Sequence, residues 1–284
     1  MNNFTIDESQ VGKRLDVYIQ ENFANYSRST IQRLLKNENV LINGKAQKNS
    51  YKLKLNDNIA VSGFDTEEVA EINIPVLYED DDCVVINKPE GILSHSKGAL
   101  NTEATVASWL KPKLVDIDGE RAGIVHRLDR GTSGVMICAK TNDAQLFLQK
   151  QFAERNTKKV YLAVIRGSIE PQEAIIDMPI QRNPKSPSRF KVSVNGKSAI
   201  THYKQIKTNG KYSLIELTPK TGRTHQLRVH LSQMKHPIVG DNFYNGEEAD
   251  RLYLHAESLE ILLPGNVKKI FTAKPDNNFL AKVD

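Results

Sequence analysis

Cysteine is nearly absent from this chain. Only Cys83 and Cys138 occur in 284 residues, each inside an apolar run (Cys83 to Ile86 and Val135 to Cys138). That pattern excludes a disulfide scaffold and a thiolate metal centre, and it places both thiols in the core of a protein from a reducing compartment. Long apolar runs are missing too, so no segment is expected to cross a bilayer. The opening residues Met1 to Glu8 lack the basic-then-apolar pattern of a signal peptide, and the expected location is the cytoplasm, away from membranes.

Other absences narrow the chemistry. There is no Gly-x-x-x-x-Gly-Lys-Ser/Thr loop and no strand-linked Gly-x-Gly-x-x-Gly, so no nucleotide cofactor is expected. Gly131-Thr132-Ser133-Gly134 has the wrong spacing for a nucleophile elbow, and Ser133 reads as a turn residue. His225 and His230 stand five apart on a predicted helix, where a metal pair on one face needs three or four, and His-Glu-x-x-His does not occur. No metal and no other cofactor is expected. No repeat, heptad or low-complexity tract is present, and a monomer is expected.

Hydrophobic residues at 39% and charged residues at 26% suit a folded protein throughout. A formal charge of +5 with a pI near 9.0 gives a weak pull towards polyanions. Leu15, Ile19 and Phe23 recur at helical spacing, and Ser27 precedes a second helical pattern with Ile31, Leu34 and Leu35. Asn43-Gly44 then marks a tight turn between short strands. Around this second helix and hairpin stand Arg28, Arg33, Lys36 and Lys45, with Ser27, Ser29 and Thr30 at the helix start. They are candidate phosphate contacts at a helix N-terminus, or equally a solvated helix face.

From Phe64 to Asp82 the chain is acidic, with no lysine or arginine. The expected organisation is therefore a small unit over 12–62, an acidic linker over 63–74 and a larger domain over 75–284. In that domain, strands are expected at Val84 to Asn87, Gly134 to Ala139, Val160 to Ile165, Tyr212 to Leu217 and Leu252 to His255. Helices are expected at Glu103 to Leu110, Asn142 to Glu154 and Thr224 to Met234. Strands that follow one another without intervening helices predict a mixed, mostly antiparallel sheet of the α+β class. Phe190 to Val194 and Ala199 to Ile206, joined through Asn195-Gly196-Lys197, read as a hairpin flanked by Arg182, Lys185, Arg189 and Lys191.

Three segments stand out: Gly123 to Gly134, containing His126-Arg127-Leu128-Asp129-Arg130; Lys159 to Ala163, containing Tyr161; and Thr221 to His230, containing Arg223, Thr224 and Leu227. Each has an ordinary explanation. Asp129 suits a turn cap, Tyr161 a strand aromatic and Thr224 a helix cap. Taken together they also suit chemistry: an aspartate between two arginines, in a glycine-bounded loop leaving an apolar strand, is a carboxylate nucleophile kept charged beside an anionic substrate. Residue chemistry alone leaves both readings standing.

At these residues the chain closely resembles the RluA-like family of pseudouridine synthases. The family signature His-Arg-Leu-Asp followed by Thr-Ser-Gly is reproduced at 126 to 134, with further matching blocks at Asn87 to Ile92, Lys159 to Ala163, Gly222 to His230 and His236 to Asp241. The resemblance covers about 75–272. The first lobe is similar to the small RNA-binding domain of the ribosomal-protein S-four type. Departures are Gly131, where the family often carries Asp, and Ser96, where Pro commonly follows the histidine.

The resemblance implies a cofactor-free isomerisation of uridine in RNA, most simply large-subunit ribosomal RNA, with transfer RNA as the alternative. The glycosidic bond breaks, the uracil turns, and its carbon 5 rejoins the ribose. Asp129 is implied as the nucleophile, either at the anomeric carbon or by removing a ribose proton. Arg223 is implied as its ion-pair partner, Tyr161 as the ring that stacks on uracil, Arg127 as a filler of the space the base vacates and Leu227 as an apolar wall. Two other functions compete: a non-catalytic RNA-binding or assembly protein, and a glycosidic hydrolase, which needs a second carboxylate beside Asp129.

Overall fold

Short polar turns and alternating apolar residues build the first unit. In the computed structural model, residues 2–23, 28–62, 72–95, 103–119 and 121–284 are described. Ser27, Ser96, residues 63–71 of the expected linker and the side chains of 28–30, including that of Arg28, lie outside the described residues. The unit comprises β1 (Asn2–Thr5), α1 (Leu15–Asn22), α2 (Arg28–Lys36), β2 (Val40–Ile42), β3 (Lys45–Ala46) and β4 (Asn58–Val61). Leu15, Ile19, Ile31 and Leu34 point inward and are buried, as their helical spacing predicts. Each contributes roughly 1.5–3 kcal/mol from removal of apolar surface from water. Asn43 and Gly44 both take positive φ, 51° and 77°, as a two-residue turn between β2 and β3 demands. The antiparallel sheet runs β1-β4-β2-β3, so it also takes in residues 2–5, ahead of the expected start at 12.

The second unit begins with β5 (Val76–Glu79) and β6 (Cys83–Lys88), followed by α3 (Val106–Leu110), β7 (Ser133–Ala139) and α4 (Asn142–Ala153). Next come β8 (Lys158–Arg166), β9 (Glu173–Asp177), β10 (Ile180–Arg182), β11 (Phe190–Val192), β12 (Ile200–Thr208) and β13 (Tyr212–Pro219). It ends with α5 (Gln226–Gln233), β14 (Leu254–Leu263), β15 (Val267–Thr272) and α6 (Asn277–Ala281). The large sheet is ordered β5-β6-β7-β14-β8-β13-β12-β9, with β15 also on β14. Every pairing is antiparallel except β7 with β14, which gives the expected mixed, mostly antiparallel α+β architecture.

Strand β7 is buried at all seven positions, which is why its sequence is an unbroken apolar run rather than an alternation. Gly134, its second residue, has φ 113°, and a Cβ there would stand 2.1 Å from the Ala256 carbonyl oxygen, so the close parallel approach of β14 requires glycine. Cys83 and Cys138 are buried as expected, and burial pushes both thiols up to about 12.

Two local expectations fail. Phe190–Val192 pairs with Ile180–Arg182, not with the strand after Gly196, and β12 instead joins the large sheet between β9 and β13. The reason is local. Neither Asn195 nor Gly196 takes positive φ, so the hairpin turn expected at that pair does not form, and the chain turns one step earlier, with the Gly196 N–H on the Ser193 carbonyl at 2.8 Å. Gly196 is instead needed because the Ile180 backbone passes where its Cβ would be, 2.6 Å away. Ser133, expected in a turn, begins β7. Its hydroxyl lies 2.8 Å from His255 Nδ1 and accepts from Arg251 at 2.7 Å. Because His255 Nε2 donates to the Ala273 carbonyl, its Nδ1 accepts the Ser133 proton. Both residues are buried, so the pair locks β7 to β14 and offers no nucleophile to solvent.

Candidate active site

Asp129 is held by its neighbours before any partner side chain is considered. Leu128 is buried and its backbone is gripped on both sides by Ser94, which donates to the Leu128 carbonyl at 2.8 Å and accepts its N–H at 3.1 Å. On the other side, the Arg130 carbonyl accepts from the Gly91 N–H at 2.8 Å and from Lys88 Nζ at 3.3 Å. The Thr132 N–H closes the turn onto the Asp129 carbonyl. Lys88 is fully buried and donates to the Pro89 and Ile92 carbonyls, both at 2.7 Å. Burial lowers its pKa to about 7, against the raising influence of Asp129 and Glu90. The loop is thus clamped from Leu128 to Arg130 with the Asp129 carboxylate between the clamps.

That carboxylate opens into a cavity of about 400 Å³ lined from β8, the β7 approach and the β13–α5 connection. On β8 the two-residue period turns Lys159 and Tyr161 to the same side, and both line it. Burial first, and then the charge of Asp129, raise the Tyr161 pKa, so the phenol stays protonated. Phe152 from α4 stacks on His126, centroids 4.4 Å apart at 20°. His126 Nε2 accepts the Ile137 N–H at 3.1 Å, and burial pushes the imidazole down to about 3, fixing it as a neutral acceptor. Arg127 is exposed at the cavity, and Leu227 contributes a buried apolar wall.

The ion pair expected of Arg223 is made by Arg228. Arg228 Nη1 donates to Asp129 Oδ2 at 3.2 Å, while its Nε and Nη2 bind both oxygens of Asp241 at 2.7 Å each. Arg223 also lines the cavity, but its Nε is bonded to the Ser198 carbonyl at 3.0 Å. Helix geometry explains the exchange. Arg228 sits in the first turn of α5, beside the buried Leu227 and Leu231, so its guanidinium is directed into the domain. Arg223 precedes the helix. Burial opposes the Arg228 charge, yet Asp241 and Asp129 together hold it above its ordinary value.

The helix start also differs from expectation. Thr224 does not cap it. His225 occupies the cap position in a left-handed conformation, φ 57°, with no side-chain cap bond, and Gln226 instead accepts the Arg223 N–H and ties Thr201 and Ile200 together. His225 Nδ1 lies 2.8 Å from the Tyr244 hydroxyl and Nε2 lies 3.8 Å from Asp129 Oδ2. Burial lowers its pKa, with Asp129 pulling the other way. A second carboxylate, Asp241, therefore does lie near Asp129, but both its oxygens are occupied by Arg228 and its side chain is fully buried. It has no free oxygen to serve as the acid or base of a hydrolase.

Asp129, Tyr161, Arg127, Arg223 and Leu227, the candidates from the sequence, all line this one cavity, whereas the sequence assigned no role to Arg228, Asp241, His225, Tyr244 or Lys88. A signal for Arg228 exists: an arginine inside an apolar helical face needs a buried carboxylate. Arg33, Lys36 and Lys45 are exposed on the first unit. Among the described residues there is no cluster of three or more metal-ligating side chains and no helix long and apolar enough to cross a membrane.

A family profile described as RNA pseudouridylate synthase matches residues 82–233, and one described as S4 domain matches residues 13–59. Similar proteins include the ribosomal large subunit pseudouridine synthase D of Borreliella burgdorferi, 38% identical over 98% of this chain and 90% of that protein. Its counterpart in Escherichia coli (strain K12) is 36% identical over 92% of this chain and 86% of that protein. Among solved structures, human RNA pseudouridylate synthase domain containing 1 superposes with a TM-score of 0.62 at 29% identity, covering 75% of this chain and 86% of that one. Human RNA pseudouridylate synthase domain containing 4 gives 0.59 at 27%, covering 72% and 90%.

Proposed function

The chain belongs to the RNA pseudouridylate synthase family, and from that membership we propose that it converts uridines of large-subunit ribosomal RNA to pseudouridine with Asp129 as the attacking carboxylate. It is an RNA-modifying isomerase, with an S4 domain as a further RNA-binding unit. The ribosomal target rests on relatives whose names specify the large subunit. The work is done in the cytoplasm by a monomer.

The observation that carries the role of Asp129 is its place: a clamped carboxylate, 18% exposed at the side chain, on the wall of a cavity and bonded to a buried arginine. Two carboxylates share one guanidinium, so the cluster keeps a negative charge on the side facing the cavity. The substrate base must leave its stack to reach it, at a cost of a few kcal/mol that phosphate contacts offset. Tyr161, a neutral phenol, offers a flat face to the uracil, Leu227 bounds it, and Arg127 at the rim fills the position the base vacates. Arg223 contacts the RNA there without acting as the ion-pair partner. Arg28, Arg33, Lys36 and Lys45 of the S4 domain bind phosphates irrespective of sequence. Once the glycosidic bond breaks, the uracil turns and its carbon 5 rejoins the ribose, with no redox step.

The test is Asp129→Asn. RNA affinity stays near wild type and pseudouridine formation is abolished; substantial residual product refutes the assignment. Mapping pseudouridines in total RNA with and without the gene identifies the target, and loss confined to transfer RNA overturns the ribosomal reading.

A further inference from the structure

Tyr244 connects the β10–β11 hairpin to the active-site carboxylate. The Phe190 backbone N–H, in β11, donates to the Tyr244 hydroxyl oxygen at 2.9 Å, and that hydroxyl lies 2.8 Å from His225 Nδ1. A phenol has one proton to give. With the Phe190 N–H already donating to the oxygen, a second donation from Nδ1–H would leave the Tyr244 proton with no acceptor among the described residues. The proton therefore goes to Nδ1. A neutral imidazole that accepts at Nδ1 carries its hydrogen on Nε2, the nitrogen that faces Asp129 Oδ2 at 3.8 Å.

Resting on the function proposed above, we propose that His225 and Tyr244 are positioning residues for Asp129, a directional chain from the Phe190 N–H through Tyr244 to His225 that aims Nε2–H at the carboxylate. The charged groups acting on His225 are Asp129 and Asp241 on one side of the balance and Arg228 and Arg127 on the other. At 3.8 Å the Nε2–H lies beyond hydrogen-bond distance and orients the carboxylate electrostatically. The left-handed backbone at His225, a conformation that costs an L-residue about 1–2 kcal/mol, is what places the ring between Tyr244 and Asp129. The chain also makes the orientation of Asp129 depend on the seating of a hairpin that carries Arg182, Arg189 and Lys191, so RNA bound there would steady the nucleophile.

Ring-¹⁵N-histidine labelling of the full-length protein reads the tautomer directly, with the His225 signal assigned by its loss in His225→Gln. The expected state is an unprotonated Nδ1 and a protonated Nε2; a protonated Nδ1 overturns the proposal. In Tyr244→Phe the single tautomer is lost, and single-turnover pseudouridine formation at saturating RNA slows by roughly tenfold, the worth of about one hydrogen bond, with RNA affinity unchanged. A wild-type rate in Tyr244→Phe overturns it. His225→Gln restores an N–H where Nε2 stood and stays near the wild-type rate, whereas His225→Asn, too short to reach, falls with Tyr244→Phe; equal rates in the two overturn the positioning role. A wild-type protein that modifies no uridine refutes the proposed function alone, because the tautomer is measured without turnover.

Discussion

Replacing the two arginines separately decides which one serves Asp129. Arg228→Ala is the wrong choice, because it strands Asp241, whose side chain is fully buried, and breaking a buried pair from one side costs about 3–5 kcal/mol. That is a large part of the 5–15 kcal/mol that holds a typical protein folded. Arg228→Lys keeps the charge but loses the fork, since an ammonium can face Asp241 or Asp129 but cannot grip both. The stronger pull is to Asp241, where wild-type arginine makes two bonds at 2.7 Å against one at 3.2 Å to Asp129. The lysine therefore settles on Asp241, and the contact to Asp129 is lost. A charge-assisted bond is worth about 1.5–3 kcal/mol, and the 3.2 Å length argues for the lower end. The expected loss is thus at least about tenfold in single-turnover rate at saturating RNA, with folding retained in denaturant titration. Arg223→Ala removes a bond to the Ser198 carbonyl and a cavity contact, so it weakens RNA binding and leaves the saturated rate within a few-fold of wild type. An inactive Arg223→Ala beside a fully active Arg228→Lys would refute the assignment of the ion pair.

Two further predictions concern buried titratable groups. Lys88 is depressed from 10.5 to about 7 in the fold, so its burial cost is relieved, and stability rises, as pH climbs from about 7 towards 10.5. Lys88→Met flattens that part of the stability curve and cuts turnover by freeing the loop that holds Asp129; an unchanged curve excludes the buried lysine. His126, pushed down to about 3 by burial, contributes stability that is complete above its ordinary pKa of 6.5 and is lost as pH falls below it. By pH 5 this amounts to about 2 kcal/mol, which His126→Gln, retaining an acceptor for the Ile137 N–H, should not show. Equal pH dependence in the two proteins would count against it.

Local pattern carried most of the architecture. The helical spacing of Leu15, Ile19, Ile31 and Leu34, the Asn43-Gly44 turn and the apolar run of β7 each require one element and obtain it. Where a local signal competed with a distant surface, it failed. Asn195-Gly196 looks like a hairpin turn, yet its glycine answers to the Ile180 backbone, sixteen residues upstream. The cavity itself was legible at Asp129 and Tyr161 because the motifs carrying them are short and distinctive. Arg223 was misassigned because two arginines lie five residues apart, and only the helix start, fixed by the left-handed turn at His225, decides which one faces inward.

The bonds of Arg228 show how the site is built. A carboxylate nucleophile needs an opposite charge close enough to orient it, yet a single unshared guanidinium at bonding distance would tie the carboxylate up. Here Asp241 takes the two short bonds of Arg228, and Asp129 receives the third, longer one. The Asp129 carboxylate is thus steadied by a cation already neutralised by another carboxylate. This gives Asp241 a reason to be charged in a position with no solvent, where an apolar residue would pack at less cost. The fixed elements around Asp129, namely the Lys88 and Ser94 clamps and the Asp241-bound arginine, come from segments far apart in sequence. What they share is that each satisfies a buried polar group whose partner is the Asp129 loop or the arginine that reaches it.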